Sequence, residues 1–289
     1  MVRVLDPAAA LLGEGPVWIA EENALYWVDI KGHRLNRYDM TDGAVRRWVM
    51  PAQLCWVIAR RHAAGFIAGL GKAIGVLHMS EPPVFEAKLD VEAGLPGNRL
   101  NDAKADDAGN IWLGTMDDTE RRPEGALYAL GADFSLRRED SGYVVANGPA
   151  FSPDGATLYH TDSAARTIYR FRRRADGELA GREVFVRFQP EDGYPDGMTV
   201  DAQGGVWVAH WGGGRVTRFL PDGTRERAIE LPVSQVTSCA FGGERLDRLF
   251  VTSAAIGLSA AALAAEPLAG ALFELDPGVV GLLPGRFAG

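Results

Sequence analysis

The stretch DAQGGVWVAHWGGGRVTRFLPDG, residues 201–223, decides the fold. It reads as a polar turn (DAQGG), a short β-type run (VWVAH, from Val206), a glycine-rich connection, a second alternating run (GRVTRFL) and a further turn. Alternation with period two marks strands with one face buried, and Asp or Asn with Gly just ahead of a run marks a tight hairpin. The same phrase recurs along the chain. β-type runs begin at Leu25 (LYWVD), Phe66 (FIAGL), Ile111 (IWLGT), Leu158 (LYHTD), Val206 and Leu249 (LFVTS), 41 to 48 residues apart, and each is followed by a second run such as RLNRYD, GALYALG or RTIYRFR. A repeat of this length made of short strands is the mark of a propeller blade and not of a helical solenoid. The reading is therefore all-β, a six-bladed β-propeller, folded as a single domain over residues 1–289. The leading VRVL has no blade of its own and is expected to pair with C-terminal strands, closing the ring and covering its open edges. Only SAAALAAEPLAG, residues 259–270, has helical spacing, and Pro267 would end that helix.

The bulk numbers agree with this and exclude several partners. Hydrophobic residues make up 47% and charged residues 24%, enough apolar material for a large core, and the 35 glycines and 16 prolines follow no collagen period, so they punctuate short elements. A net charge of −8 opposes attraction to nucleic acid or anionic lipid. Asp6 and Pro7 interrupt the N-terminal apolar stretch before a signal core forms, and no run approaches a bilayer span. Cys55 and Cys239 are too few for a disulfide framework and are read as reduced, so the expected location is cytoplasmic.

Counting back from the anchoring runs brings out the functional signal. Glu14, Asn101, Asn147 and Asp196 each lie 10 or 11 residues ahead of their own run. Residues at one register of successive blades are related by the propeller's rotation, so these four side chains should face one axis. The same register in the other two repeats falls at Cys55 or Trp56 and at Thr237 or Ser238, which are neutral. Two carboxylates and two amides are hard oxygen donors suited to a divalent cation in a central channel, and a cation would relieve the repulsion of the carboxylates. Taken one at a time, GEGP, NGP and YPDG are equally good turns; the shared register is what favours a site.

Other polar candidates carry less. His33, His62, His78, His160 and His210 show no zinc-ligand spacing and read as surface or hydrogen-bonded residues. No serine sits in a GxSxG elbow. WGGGR lacks the Lys and Ser or Thr of a phosphate loop and reads as a tight strand connection, while RFRRR, residues 170–174, reads as a solvated blade edge.

Five motifs, in order, resemble the SMP-30/gluconolactonase/regucalcin family: LGEGPVW (12–18), NRLNDAKADDAGNIWLGTM (98–116), NGPAFSPDG (147–155), PDGMTVDAQGGVWVAHWGGGRV (195–216) and TSCAFGGERLDRLFVTSA (237–254). The tail GLLPGRF is similar too. The resemblance implies a divalent metal, calcium first with zinc, magnesium, manganese or iron as alternatives, held by Glu14, Asn147 and Asp196, and substrate contacts from Arg99 and Asn101. It also implies an acidic substrate contact shortly after GTM, for which Asp117 is taken from among Asp117, Asp118 and Glu120. The reaction expected from these residues is hydrolysis of a sugar lactone to the sugar acid, with Asp196 as the base toward water or as the group that orients a metal-bound water; Tyr194 and Trp211 read first as core or rim packing, with lining of the mouth as the alternative. A phosphotriesterase or arylesterase, and a non-catalytic calcium-binding regulator, are the rival readings.

Overall fold

In the computed structural model, residues 2–174 and 177–289 are described. They form six four-stranded antiparallel sheets, the blades of a six-bladed β-propeller. Sheet 1 comprises Gly13–Ile19, Ala24–Asp29, Arg34–Asp39 and Val45–Val49, and sheet 2 comprises Leu54–Ala59, Phe66–Leu70, Ala73–His78 and Val84–Asp90. Sheet 3 runs through Asn98–Ala105, Ile111–Asp117, Gly125–Leu130 and Leu136–Tyr143, and sheet 4 through Ala146–Phe151, Thr157–Asp162, Thr167–Arg173 and Leu179–Arg187. Sheet 5 holds Tyr194–Val200, Val206–Trp211, Arg215–Phe219 and Arg225–Glu230. Sheet 6 takes Val236–Gly242, Arg248–Ser253 and Leu272–Leu275 from the C-terminal part and its last strand, Val2–Asp6, from the N-terminus. Val2 pairs with Leu275 and Val4 with Phe273, so the expected closure by VRVL is present. The expected helix is present as Ala260–Ala265, with the Ser259 hydroxyl accepting from the Ala262 amide and Pro267 following its end. Among the described residues no helix is long and apolar enough to cross a membrane.

The sheets group into two compact units, one holding sheets 1, 5 and 6 and the other sheets 2, 3 and 4. In each, burial falls from the first strand of a sheet to the last: Leu54–Ala59 is buried throughout, whereas Val84–Asp90 is exposed apart from the half-buried Phe85 and Leu89. First strands therefore pack on first strands, Gly13–Ile19 and Tyr194–Val200 each against Val236–Gly242, and Leu54–Ala59 and Ala146–Phe151 each against Asn98–Ala105. The apolar faces meet in cores around Trp207, Phe241, Val251 and Phe273 in one unit and around Trp112, Leu127, Tyr143 and Leu158 in the other.

The DxxG turns that reveal the repeat also explain their own chemistry. In DAQGGVW, Asp201 Oδ1 accepts from the amides of Gln203 and Gly205, both at 2.9 Å, while Oδ2 accepts from Trp207 Nε1 at 2.8 Å and Arg218 Nε at 2.7 Å. Asp106 does the same in DDAGNIW, closing on Gly109, Asn110 and Trp112 and pairing with Arg173. Gly109 and Gly204 adopt φ of +93° and +84°, a region that only glycine occupies cheaply. One expectation is corrected here. Arg173 of the RFRRR run is not solvated: its side chain is 11% exposed, and its guanidinium lies over Trp112 and Phe151 at 5.5 and 5.1 Å, because buried Asp106 needs a cation. WGGGR is the expected connection between strands Val206–Trp211 and Arg215–Phe219.

Candidate active site

The shared register is a structural device. In every sheet the pairing of the first strand with the second shifts by one residue at this point: Glu14 pairs with Val28 but Val17 with Tyr26, and Asn147 pairs with Thr161 but Ala150 with Tyr159. The extra residue falls between Leu100 and Ala103, between Pro195 and Met198, between Leu54 and Trp56, and between Val236 and Ser238 in the other sheets. Glu14, Cys55, Asn101, Asn147, Asp196 and Thr237 thus all sit at a β-bulge. A bulge bends the strand and re-aims the local side chain, which is how a buried strand can present a polar group. It also accounts for the flanking glycines: Gly15 and Gly148, directly after Glu14 and Asn147, have φ of +52° and +37°. Gly197, after Asp196, is required by space instead, since a Cβ there would lie 2.2 Å from Ser238 Oγ.

In the unit formed by sheets 2 to 4, the bulge residues join one hydrogen-bonded chain. Asn101 Nδ2 donates to Asn147 Oδ1 at 2.9 Å and to the Ala146 carbonyl at 2.8 Å, and its Oδ1 accepts from Arg99 Nη1 at 2.6 Å. Asn147 Nδ2 donates to Ser163 Oγ at 3.1 Å. These bonds fix both amides: Asn147 turns its oxygen toward Asn101, and that oxygen keeps a second lone pair for a ligand. Arg99 is itself held by Asp118, Nε to Oδ1 at 2.6 Å, and by the Leu100 carbonyl at 2.9 Å. Arg99, Asn101 and Asn147 are 5%, 8% and 5% exposed, so this is a buried polar network and not a solvated edge.

Turn chemistry distinguishes the acids after GTM. Asp117 is fully buried, and its Oδ2 accepts from Thr119 Oγ1 and the amides of Arg121 and Arg122, while Oδ1 faces Arg122 Nη2 at 3.3 Å. The Thr119 hydroxyl above all, with Arg122, holds this carboxyl well below the usual carboxylate range. Asp117 ends the second strand of sheet 3 as Asp29 and Asp162 end theirs, and both of these also accept from turn amides. Aligning LYWVD, LYHTD and IWLGTMD would have revealed this closing position. The acid beside Arg99 is Asp118. Asp102 and Ser163 also take part in the network without having been singled out in the sequence; Asp102 is 5% exposed, and its oxygens accept from the amides of Ala103 and Gly148.

In the other unit, Glu14 lies on the first strand of sheet 1 and Asp196 on that of sheet 5, 8% and 5% exposed. Tyr194 pairs across the ladder with Trp211 and is 37% exposed, at the same end of sheet 5 as Asp196. As a donor set for a metal, Glu14 and Asp196 offer carboxylate oxygens and Asn147 an oriented amide oxygen. Among the described residues no three His, Cys, Asp or Glu side chains group as metal ligands. All-oxygen donors fit a hard divalent ion, and burying carboxylates becomes less costly when a cation accompanies them.

Two histidines read as surface or hydrogen-bonded are fully buried. His160 packs edge-on against Tyr143 with ring centroids 4.8 Å apart, and His210 stacks on Phe188 at 4.4 Å with Nδ1 on the Asp192 carbonyl at 2.8 Å. Burial pushes His160 down to about 3 and His210 to about 4. Between those values and the ordinary 6.5 the unfolded chain binds protons that the folded chain refuses, so stability is complete above pH 6.5 and is lost as pH falls toward 4. The slope is about 1.4 kcal/mol per pH unit for each histidine. Asp102 and Asp162, raised by burial, act with the opposite sign. The histidine contribution is therefore read by difference: the loss of urea midpoint between pH 7 and pH 5 should be shallower in His210→Phe than in the wild type, and equal slopes would contradict it.

Comparison with known proteins extends this picture. The family model described as "SMP-30/Gluconolactonase/LRE-like region" matches residues 12–255. The L-arabinolactonase of Azospirillum brasilense is 38% identical over 281 residues, covering 96% of this chain and 92% of its own. The 6-deoxy-6-sulfogluconolactonase of Pseudomonas putida is 36% identical, covering 97% and 96%. Among solved structures, a calcium-binding regucalcin from Agrobacterium tumefaciens superposes with a TM-score of 0.94 at 29% identity, over 99% of this chain and 97% of its own.

Proposed function

Since the chain belongs to the SMP-30/gluconolactonase/LRE-like family, we propose that it is a lactonase that opens a sugar lactone to the corresponding aldonic acid, with a divalent metal as cofactor. The observation that carries this reading is the buried Arg99–Asn101–Asn147 chain, anchored at its rim by the exposed Asp118, whose guanidinium and amides are fixed in place by charge-assisted and neutral hydrogen bonds at 2.6 to 2.9 Å. A protein that only stores cations has no use for an immobilised arginine beside its amide ligand, whereas a hydroxylated ester needs such donors.

In the reaction, a water oxygen bonds to the lactone carbonyl carbon while Asp196 accepts one of its protons. The ester bond to the ring oxygen then breaks, and a proton is returned to that oxygen, leaving the open-chain acid. Arg99, steadied by Asp118, and the remaining Asn101 Oδ1 lone pair hold substrate hydroxyls or the carbonyl side of the ring. A divalent ion, with Glu14, Asn147 and Asp196 as its ligands, would supply Lewis-acid polarisation of the carbonyl. Calcium, or another hard divalent ion, suits these oxygens.

The test is a pH-indicator screen of pentono- and hexonolactones on chelator-stripped protein with single metals restored, and with paraoxon alongside. Turnover of one or more aldonolactones that depends on an added divalent ion is the expected result. Hydrolysis of paraoxon alone, or no lactone turnover with any metal, would overturn the proposal.

A further inference from the structure

Asn147 is held from both sides by two consecutive residues of the neighbouring sheet. On its N-terminal side Asn101 Nδ2 donates to the Ala146 carbonyl at 2.8 Å and to Asn147 Oδ1 at 2.9 Å. On its C-terminal side Asp102 Oδ2 accepts from the Gly148 amide at 3.0 Å, across 46 residues of sequence, while Oδ1 accepts from the Ala103 amide at 2.7 Å. Gly148 occupies the left-handed region at φ +37°, the turn of the bulge that aims Asn147. An amide in that conformation points its N–H away from the ladder, and a charged acceptor placed there fixes the bulge more firmly than a neutral one could.

We infer that Asp102 is a positioning residue for the candidate metal ligand Asn147: its carboxylate pins the Gly148 amide, and with Asn101 and Ser163 it sets the direction of the Asn147 side-chain oxygen. The inference rests on the lactonase reading for its catalytic consequence, though not for its geometry. It gives a reason for an ionisable group 5% exposed whose carboxyl burial pushes upward: the cost of keeping it charged and buried is offset by a backbone that cannot relax. Asn101, expected from the resemblance to contact substrate, has both amide hydrogens engaged in the same arrangement, so toward substrate it can only accept.

The test uses the full chain, stripped with chelator, as wild type, Asp102→Asn and Ser163→Ala. Each is titrated calorimetrically with Mn2+ and assayed on glucono- and arabinonolactone, with a thermal melt as the control for folding. In Asp102→Asn one amide loses its acceptor and meets an NH2 group. Its affinity for Mn2+ should fall about tenfold or more, and kcat should fall with it while KM changes little. Ser163→Ala, which frees Asn147 Nδ2, should weaken Mn2+ binding about threefold or more in the same direction. A lowered melting temperature with unchanged Mn2+ affinity would reduce Asp102 to a structural tie and overturn the inference. If Asp102→Asn does not fold, Ser163→Ala decides, and unchanged affinity there overturns it. A wild type that binds Mn2+ without turning over any lactone would sink the lactonase reading alone, since the titrations still read the positioning; a wild type that binds no Mn2+ would overturn the inference itself.

Discussion

Replacing Asp196 by Asn is expected to lower kcat for lactone hydrolysis by about two to four orders of magnitude, the range that a positioned proton acceptor supplies. The substitution keeps shape, volume and one oxygen. What disappears is the negative charge, and with it the ability to take a proton from water and one of the two carboxylates available to a cation. Asp196 is 5% exposed and sits in the bulge between Pro195 and Met198, so a larger replacement would disturb the strand where Gly197 already crowds Ser238. Asparagine avoids that disturbance, so the melting temperature of stripped protein should change little. Loss of activity together with loss of the fold would leave the chemistry unassigned to this residue, and near-normal kcat in a folded variant would contradict its role directly.

Asp201→Ala is expected to produce the largest loss of stability, about 3 to 5 kcal/mol, because it removes the buried partner of a buried guanidinium and leaves it only the half-buried Glu226, at 3.3 Å, as a counter-ion. Arg218 is 4% exposed at its side chain and Asp201 is fully buried; the carboxylate also closes the turn on Gln203 and Gly205 and accepts from Trp207 Nε1. Burial alone would raise this carboxyl, yet the Arg218 bonds, the indole and the turn amides bring it below the ordinary range, which shows that the charged form is the one the fold requires. For a chain of this size the loss corresponds to a fall of about 5 to 10 °C in melting temperature. The double variant Asp201→Ala with Arg218→Met should recover part of it, since removing both charges leaves no unpaired ion. A single-variant melt within 2 °C of wild type, on the scale of about 1 kcal/mol or less, would show that the pair is solvated in solution.

What could be read from the sequence follows the range of each interaction. Strand runs, DxxG turns and the step between repeats are local, so the six sheets and the closing strand Val2–Asp6 were visible before the structure. The register of Glu14, Asn101, Asn147 and Asp196 was visible for the same reason, although its cause, a bulge in every first strand, was not: a one-residue shift in pairing leaves no mark in composition beyond a glycine. Asp117 and Asp118 are adjacent and chemically identical, and only the turn that consumes Asp117 separates them. Nothing in NRLNDAK marks Asp102, because its partner, the Gly148 amide, lies in the next sheet. Burial of His160 and His210 was hidden for a related reason, since a lone histidine in a β-run looks the same whether its face meets water or a neighbouring ring.

A Mn2+-soaked crystal with data collected at the manganese edge tests the proposal that Glu14, Asn147 and Asp196 hold one divalent ion. The expected result is a single strong anomalous peak within about 2.5 Å of carboxylate or amide oxygens of Glu14, Asn147 and Asp196. A peak bound by other residues, or none at saturating Mn2+, would contradict it.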